Sequence, residues 1–168
     1  STFLPDRKLD EDANILVRLA GGGKGVIAVS QIATGEENAL RLKAYASQGG
    51  IVWEQENPNY MTLFRYGEPR RTYTRNAGYL SEVSTGLSRV PPGHPEGYLE
   101  AFANIYLAAV DAVRHYIDGE PLSVDEYTFP TVIDGFRGMA FVETAVESAK
   151  KGSVWLPLVT SARSPMRR

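Results

Sequence analysis

The chain reads as an α+β domain: an open, mainly antiparallel meander sheet, with two long helices covering one face and the other face buried by a second subunit or a missing domain. Three features predict this. Six β-patterned runs follow one another across residues 14–74, joined by links too short for crossover helices. Two later segments repeat apolar residues every three or four positions, the period of an amphipathic helix. The run 26–33 is apolar or neutral on both faces, whereas a sheet with one wet face carries polar residues on one parity.

In chain order, "NILVRLA" (14–20) alternates, with Ile15, Val17 and Leu19 on one side. "GGGKG" (21–25) leads to "VIAVSQIA" (26–33), followed by "ALRLKAYAS" (39–47), "GIVWEQ" (50–55), "YMTLFRY" (60–66) and "PRRTYT" (69–74). The breaks "TGEEN", "QGG", "ENPN" and "GEP" are turn-rich and predict hairpins. Residues 76–93 read as a mixed loop. A helix follows, its stripe formed by Tyr98, Phe102, Ile105, Ala109, Val113 and Ile117, with Gly119 as its stop. The second helix spans about Thr131 to Lys151, with a stripe of Val132, Phe136, Met139, Val142, Val146 and Ala149. Thr131 and Asp134 have the spacing of a capping pair, and Glu147 and Lys151 that of an i,i+4 ion pair. Phe102 and Phe136 are expected to be buried, and "VWLPL" (154–158) suits a last short strand. Residues 159–168 form a polar, basic tail.

Two helices cover one face of such a sheet and leave the other open. A net charge of −2 in 168 residues gives no footprint for nucleic acid or an acidic membrane. No apolar run approaches the ~18–20 residues of a membrane helix, and the first residues lack the basic start and apolar core of a signal peptide. With no cysteine, disulfides and thiolate chemistry are excluded, which fits the cytoplasm. The chain begins without a methionine and in mid-pattern, so a longer protein is expected around it.

The candidate chemistry is sparse. "GGGKG" resembles a phosphate loop only in its glycines. Lys24 precedes a glycine and a strand, where a P-loop opens a helix, so a hairpin turn is the expectation. His115 lies on a helix with no second histidine or acidic cluster at ligand spacing, and no metal site is expected. The acids of "DEDA" (10–13) and "EEN" (36–38) read as solvated loops. His94, between Gly93 and Pro95, stands on a stiff loop and reads equally as a site residue or as helix-entry punctuation, with Pro95 and Glu96 near the first turn.

"SQIATGEENALRLKAYASQGGIVWEQENPNYM", "PPGHPEGYLEAFANIY" and "FPTVIDGFRGMAFVETAVESAKKGSVWLPL" together resemble the C-terminal domain of the Gfo/Idh/MocA oxidoreductases, enzymes akin to glucose–fructose oxidoreductase and inositol dehydrogenase. The likeness covers residues 1–158. It implies an N-terminal Rossmann domain binding NAD or NADP, absent from this chain. It also implies a C-terminal sheet that forms part of the substrate pocket and the homo-oligomer contact. The family's G-x-G-x-x-G fingerprint and its Glu-Lys-Pro motif do not occur here. Nor does the Asp-x-x-x-His pair that in the family lies just ahead of this stretch. The resemblance therefore implies the substrate-binding and oligomerisation part of a sugar or polyol dehydrogenase, with no catalytic, cofactor-binding or metal residues of its own and no activity or dinucleotide binding alone. His94 is expected to contact a sugar-like substrate, with Gln31, Glu37 and Asn38 as weaker pocket candidates. The alternative is a non-catalytic module that self-associates or binds carbohydrate. A small hydrolase built on His94 would need a serine or aspartate within hydrogen-bond reach.

Overall fold

The structure, a computed structural model, describes residues 1–123 and 126–159. It divides into two compact units, Ser1–Glu36 with Pro130–Arg168, and Glu37–Phe129.

In the first unit, β1 (Asp12–Arg18) and β2 (Lys24–Ser30) form an antiparallel hairpin, Ile15 facing Ile27 and Leu16 facing Val26. The glycine run is its turn, as the sequence suggests: the Leu19 amide donates to Gly23 O (2.8 Å), the Gly22 amide to Leu19 O (2.9 Å), and Gly22 takes φ +86°. Gly25 is held by packing, because a Cβ there would lie 2.8 Å from Val17 Cγ2. The third helix in chain order, α3 (Val132–Lys150), belongs to the same unit. Asp134 accepts from both the Thr131 amide (2.9 Å) and Oγ1 (2.8 Å), and Lys151 Nζ reaches Glu147 Oε1 at 2.6 Å, so both end signals hold.

The second unit is a four-stranded antiparallel meander: β3 (Arg41–Ala46), β4 (Gly49–Glu54), β5 (Tyr60–Arg65) and β6 (Arg71–Thr74). The "QGG" break is tighter than it reads. Ala46 pairs with Gly49, so Ser47 and Gln48 make the turn and both glycines are strand residues. They are required by proximity rather than by positive φ: a Cβ on Gly49 would stand 2.0 Å from Phe64 O, and one on Gly50 2.6 Å from Ala44 O. Within the expected loop, Ser81 caps a five-residue helix, α1 (Glu82–Gly86). The long helix α2 spans Tyr98–Ile117, and Gly119 follows it at φ +81°.

The open, antiparallel sheet with helices is as expected, in two hydrogen-bonded pieces, and no ladder joins β2 to β3 among the described residues. Three expectations are corrected. Residues 154–158 carry no strand, since Pro157 lacks a donor and no strand pairs with them. Phe102 is 45% exposed and Phe136 only half-buried, because no apolar side chain is buried among the described residues. On α3 the side that lines an open groove of about 760 Å³ with Ile15, Val17, Ile27 and Leu156 is Phe141, Thr144, Ala145, Ser148 and Ala149, only the last from the expected stripe, of which Phe136 and Val146 are half-buried and Val132, Met139 and Val142 exposed. The opposite face of the hairpin is open as well, with Leu16 63% and Val26 69% exposed. The tail from residue 160 on lies outside the described residues.

Candidate functional site

Among the described residues only two are buried, and both are glutamates, Glu11 and Glu96, each 7% exposed. A buried carboxylate is costly unless its oxygens are satisfied, so each marks a built polar arrangement. Glu11 lies in the first unit and is a local clasp: its carboxylate accepts from the Phe3 (2.9 Å) and Leu4 (3.0 Å) amides, with Arg7 3.2 Å away. Those two amides, then Arg7, hold its pKa below the ordinary 4.5 of a glutamate, against the opposing pull of burial.

Glu96 organises a wider network in the second unit. Its Oε1 accepts from the Arg89 amide at 2.7 Å, and its Oε2 is ion-paired with Arg75 Nη1. The Arg75 guanidinium uses every side of its fork. Nε donates to Asn59 Oδ1 (2.9 Å), Nη1 to Val90 O (3.0 Å) and Nη2 to His94 O (2.6 Å). Asn59 Oδ1 also accepts from the Glu96 amide (3.1 Å), and Asn76 Nδ2 donates to Val90 O (2.8 Å). Local sequence explains the need for these donors. Pro91, Pro92 and Pro95 have no N–H, so the 89–97 segment cannot pair as a ladder, and its carbonyls take side-chain partners instead. Gly93, at φ +88°, makes the turn in which the His94 amide donates to Pro91 O at 3.2 Å. Glu96 stands just ahead of the first turn of α2, near it as the sequence suggests. It precedes the Gly97 N-cap, and Glu100 reaches back to the Gly97 amide at 2.8 Å. That amide holds the Glu100 pKa below its ordinary value.

The four sequence candidates fall as follows. His94 is exposed at the tip of this braced loop, and its imidazole has no protein partner among the described residues, which include no serine or aspartate bonded to it as a hydrolase would need. Glu37 and Asn38 are exposed at the same end of the meander. Residue 39 is tied to the β4–β5 link by the Ala39 amide donating to Glu56 Oε1 (2.9 Å), and that link also carries Asn59. Ala39 adopts φ +49°, a left-handed conformation that costs about 1–3 kcal/mol outside glycine. Gln31 lies in the first unit, where its amide donates to Glu11 O at 2.8 Å. Sequence reasoning missed Arg75 and Asn59. The only signal for them is composition, an Arg-Asn pair closing a strand and a second Asn in a proline turn. The spacing Asp-x-x-x-His does occur literally, at Asp111 and His115 within α2, with an exposed carboxylate and a half-buried imidazole 4.0 Å apart.

The residues described do not fit a dinucleotide. The single glycine run turns back into a strand, so no helix N-terminus stands behind it to receive a pyrophosphate. No group of three or more His, Asp or Glu side chains is gathered for a metal, and no helix is long and apolar enough to cross a membrane, among the described residues.

An open antiparallel sheet in two pieces, accompanied by helices, defines a mixed α/β domain. The chain belongs to the Gfo/Idh/MocA oxidoreductase family: residues 4–158 match the family's C-terminal alpha/beta domain. It is 34% identical over 151 residues to the uncharacterized oxidoreductase YfiI of Bacillus subtilis, covering 88% of this chain and 38% of that protein. Among solved structures it resembles an oxidoreductase from Sinorhizobium meliloti, with TM-score 0.82, 38% identity, and 94% and 44% of the two chains covered. It also resembles an inositol dehydrogenase homolog from Azotobacter vinelandii complexed with NADH and myo-inositol, with TM-score 0.80, 28% identity, and 89% and 39% covered. The chain thus spans less than half the length of each of these relatives.

Proposed function

We propose that residues 1–158 are the substrate-binding and subunit-contact part of an NAD(P)-dependent oxidoreductase that moves a hydride to or from a carbinol carbon of a sugar or polyol. The observation that carries this reading is the exposed His94 imidazole, without a partner among the described residues, on a loop braced by the half-buried Arg75 and the buried Glu96. Rigid backbone beneath an unsatisfied donor and acceptor is what orients a polyhydroxylated ligand, because each hydroxyl takes and gives a hydrogen bond. Glu37 and Asn38, at the same end of the meander, supply further groups of that type, with Gln31 a fourth candidate. The A. vinelandii relative supports a cyclic polyol as substrate and NAD as cofactor. On this reading the dinucleotide is held by an N-terminal Rossmann domain, and the groups that handle the proton lie in the part of the protein outside this stretch. The exposed Leu16 and Val26 face supports a homo-oligomer contact.

The test is turnover by the full-length protein, with NAD and NADP, on a panel of cyclic polyols and aldoses that includes myo-inositol. Reduction of the nicotinamide by at least one member is expected. Ligand binding without turnover on any member would instead favour a carbohydrate-binding module, and neither binding nor turnover would overturn the reading.

A further inference from the structure

The role of Arg75 extends beyond closing an ion pair. Its partners are the carbonyls of residues 90 and 94, the Asn59 amide oxygen and the Glu96 carboxylate, so a single planar group grips the loop on both sides of the Pro91–Gly93 turn. The grip falls on the main chain of His94 and leaves its imidazole free. Arg75 itself is 17% exposed and covered by the loop it holds, so it is not offered to a ligand. We propose that Arg75 is a positioning residue: its guanidinium fixes the backbone at residues 90 and 94 and thereby sets where the His94 imidazole meets a sugar-like or polyol substrate. This rests on the reading of His94 as a substrate contact.

A lysine at position 75 keeps the charge but loses the fork, since an ammonium is a point donor and cannot reach carbonyls on two sides and Asn59 at once. The experiment is a double-mutant cycle in the full-length enzyme, with Arg75→Lys, His94→Ala and the two combined. The probe is the panel member with the fastest turnover. Arg75→Lys is expected to raise KM by about tenfold while lowering kcat less, the pattern of a lost substrate contact. On the His94→Ala background the same change should add little, because Arg75 acts through His94. Amide exchange across residues 89–97 should accelerate in Arg75→Lys. If His94→Ala leaves KM unchanged, the reading of His94 fails. If His94→Ala raises KM but Arg75→Lys does not, or adds its full effect on top, or leaves loop exchange unchanged, the inference about Arg75 fails while the reading of His94 stands.

Discussion

Replacing Gly49 with alanine tests the tight approach of β4 to its neighbour. The new Cβ would lie 2.0 Å from Phe64 O, and real Cβ contacts essentially never fall under 3.0 Å, so β4 and β5 must separate locally by at least about 1 Å. The obstructing atom is main chain within a ladder, so no side chain can swing away to relieve it. Such a separation takes a 2.9 Å hydrogen bond out of bonding range, and two or three bonds at this end of the pair are exposed to it, each worth about 0.5–1.5 kcal/mol net. Alanine recovers about 0.4–1 kcal/mol by restricting the unfolded chain, and Gly49 has no positive φ to forfeit. The balance centres on a loss of about 2 kcal/mol. At roughly 2–4 °C per kcal/mol, thermal unfolding of the full-length protein followed by circular dichroism should report a Tm several degrees lower. A Tm at or above that of the parent would refute the steric argument.

The opposite result is expected at Gly138, inside α3, where an added methyl would meet nothing within 4 Å: Gly138→Ala should stabilise by about 1 kcal/mol in the same assay, and destabilisation would show that this helix face is in contact. Val26→Lys places a charge on the open hairpin face and should lower the mass seen by light scattering, whereas an unchanged mass in a folded protein would count against that face as the subunit contact. Because the Phe3 and Leu4 amides depress the Glu11 pKa, its stabilisation is full above the unfolded value near 4.5 and is lost as pH falls through the lower folded value. The stability gap between the parent and Glu11→Gln should therefore narrow in acid, and a gap constant across that range would contradict the assignment.

What the sequence made legible is what short-range chemistry decides. The hairpin over Leu19–Gly23, the Thr131–Asp134 start of α3, the Glu147–Lys151 pair and the stop at Gly119 each follow from residues within five positions of one another. Strand positions were legible to within two or three residues from alternation alone, as in 14–20 against Asp12–Arg18. Burial was not. The stripe from Tyr98 to Ile117 is apolar as read, yet an apolar pattern states only that a face needs a partner, and among the described residues most of that stripe stays exposed. The covered side of α3 was misplaced for a related reason: the helix is apolar on more than one side, and periodicity cannot choose between them. The loop network was illegible because its members at 59, 75 and 96 are brought together only by the meander. Glu96 beside a helix start has an ordinary local explanation that hides its distant one. Of the four site candidates, His94, Glu37 and Asn38 share an end of the meander, and Gln31 belongs to the other unit.

The bracing of residue 94 by its carbonyl rather than by its side chain has an evolutionary consequence. The loop geometry is written into the side chains at positions 59, 75 and 96, and among the described residues the side chain at 94 bonds to none of them. Position 94 is in effect a socket whose occupant can be exchanged without rebuilding the mount. On the proposed reading of His94, a lineage carrying this network would explore new ligand preferences one substitution at a time, each variant inheriting the same loop placement.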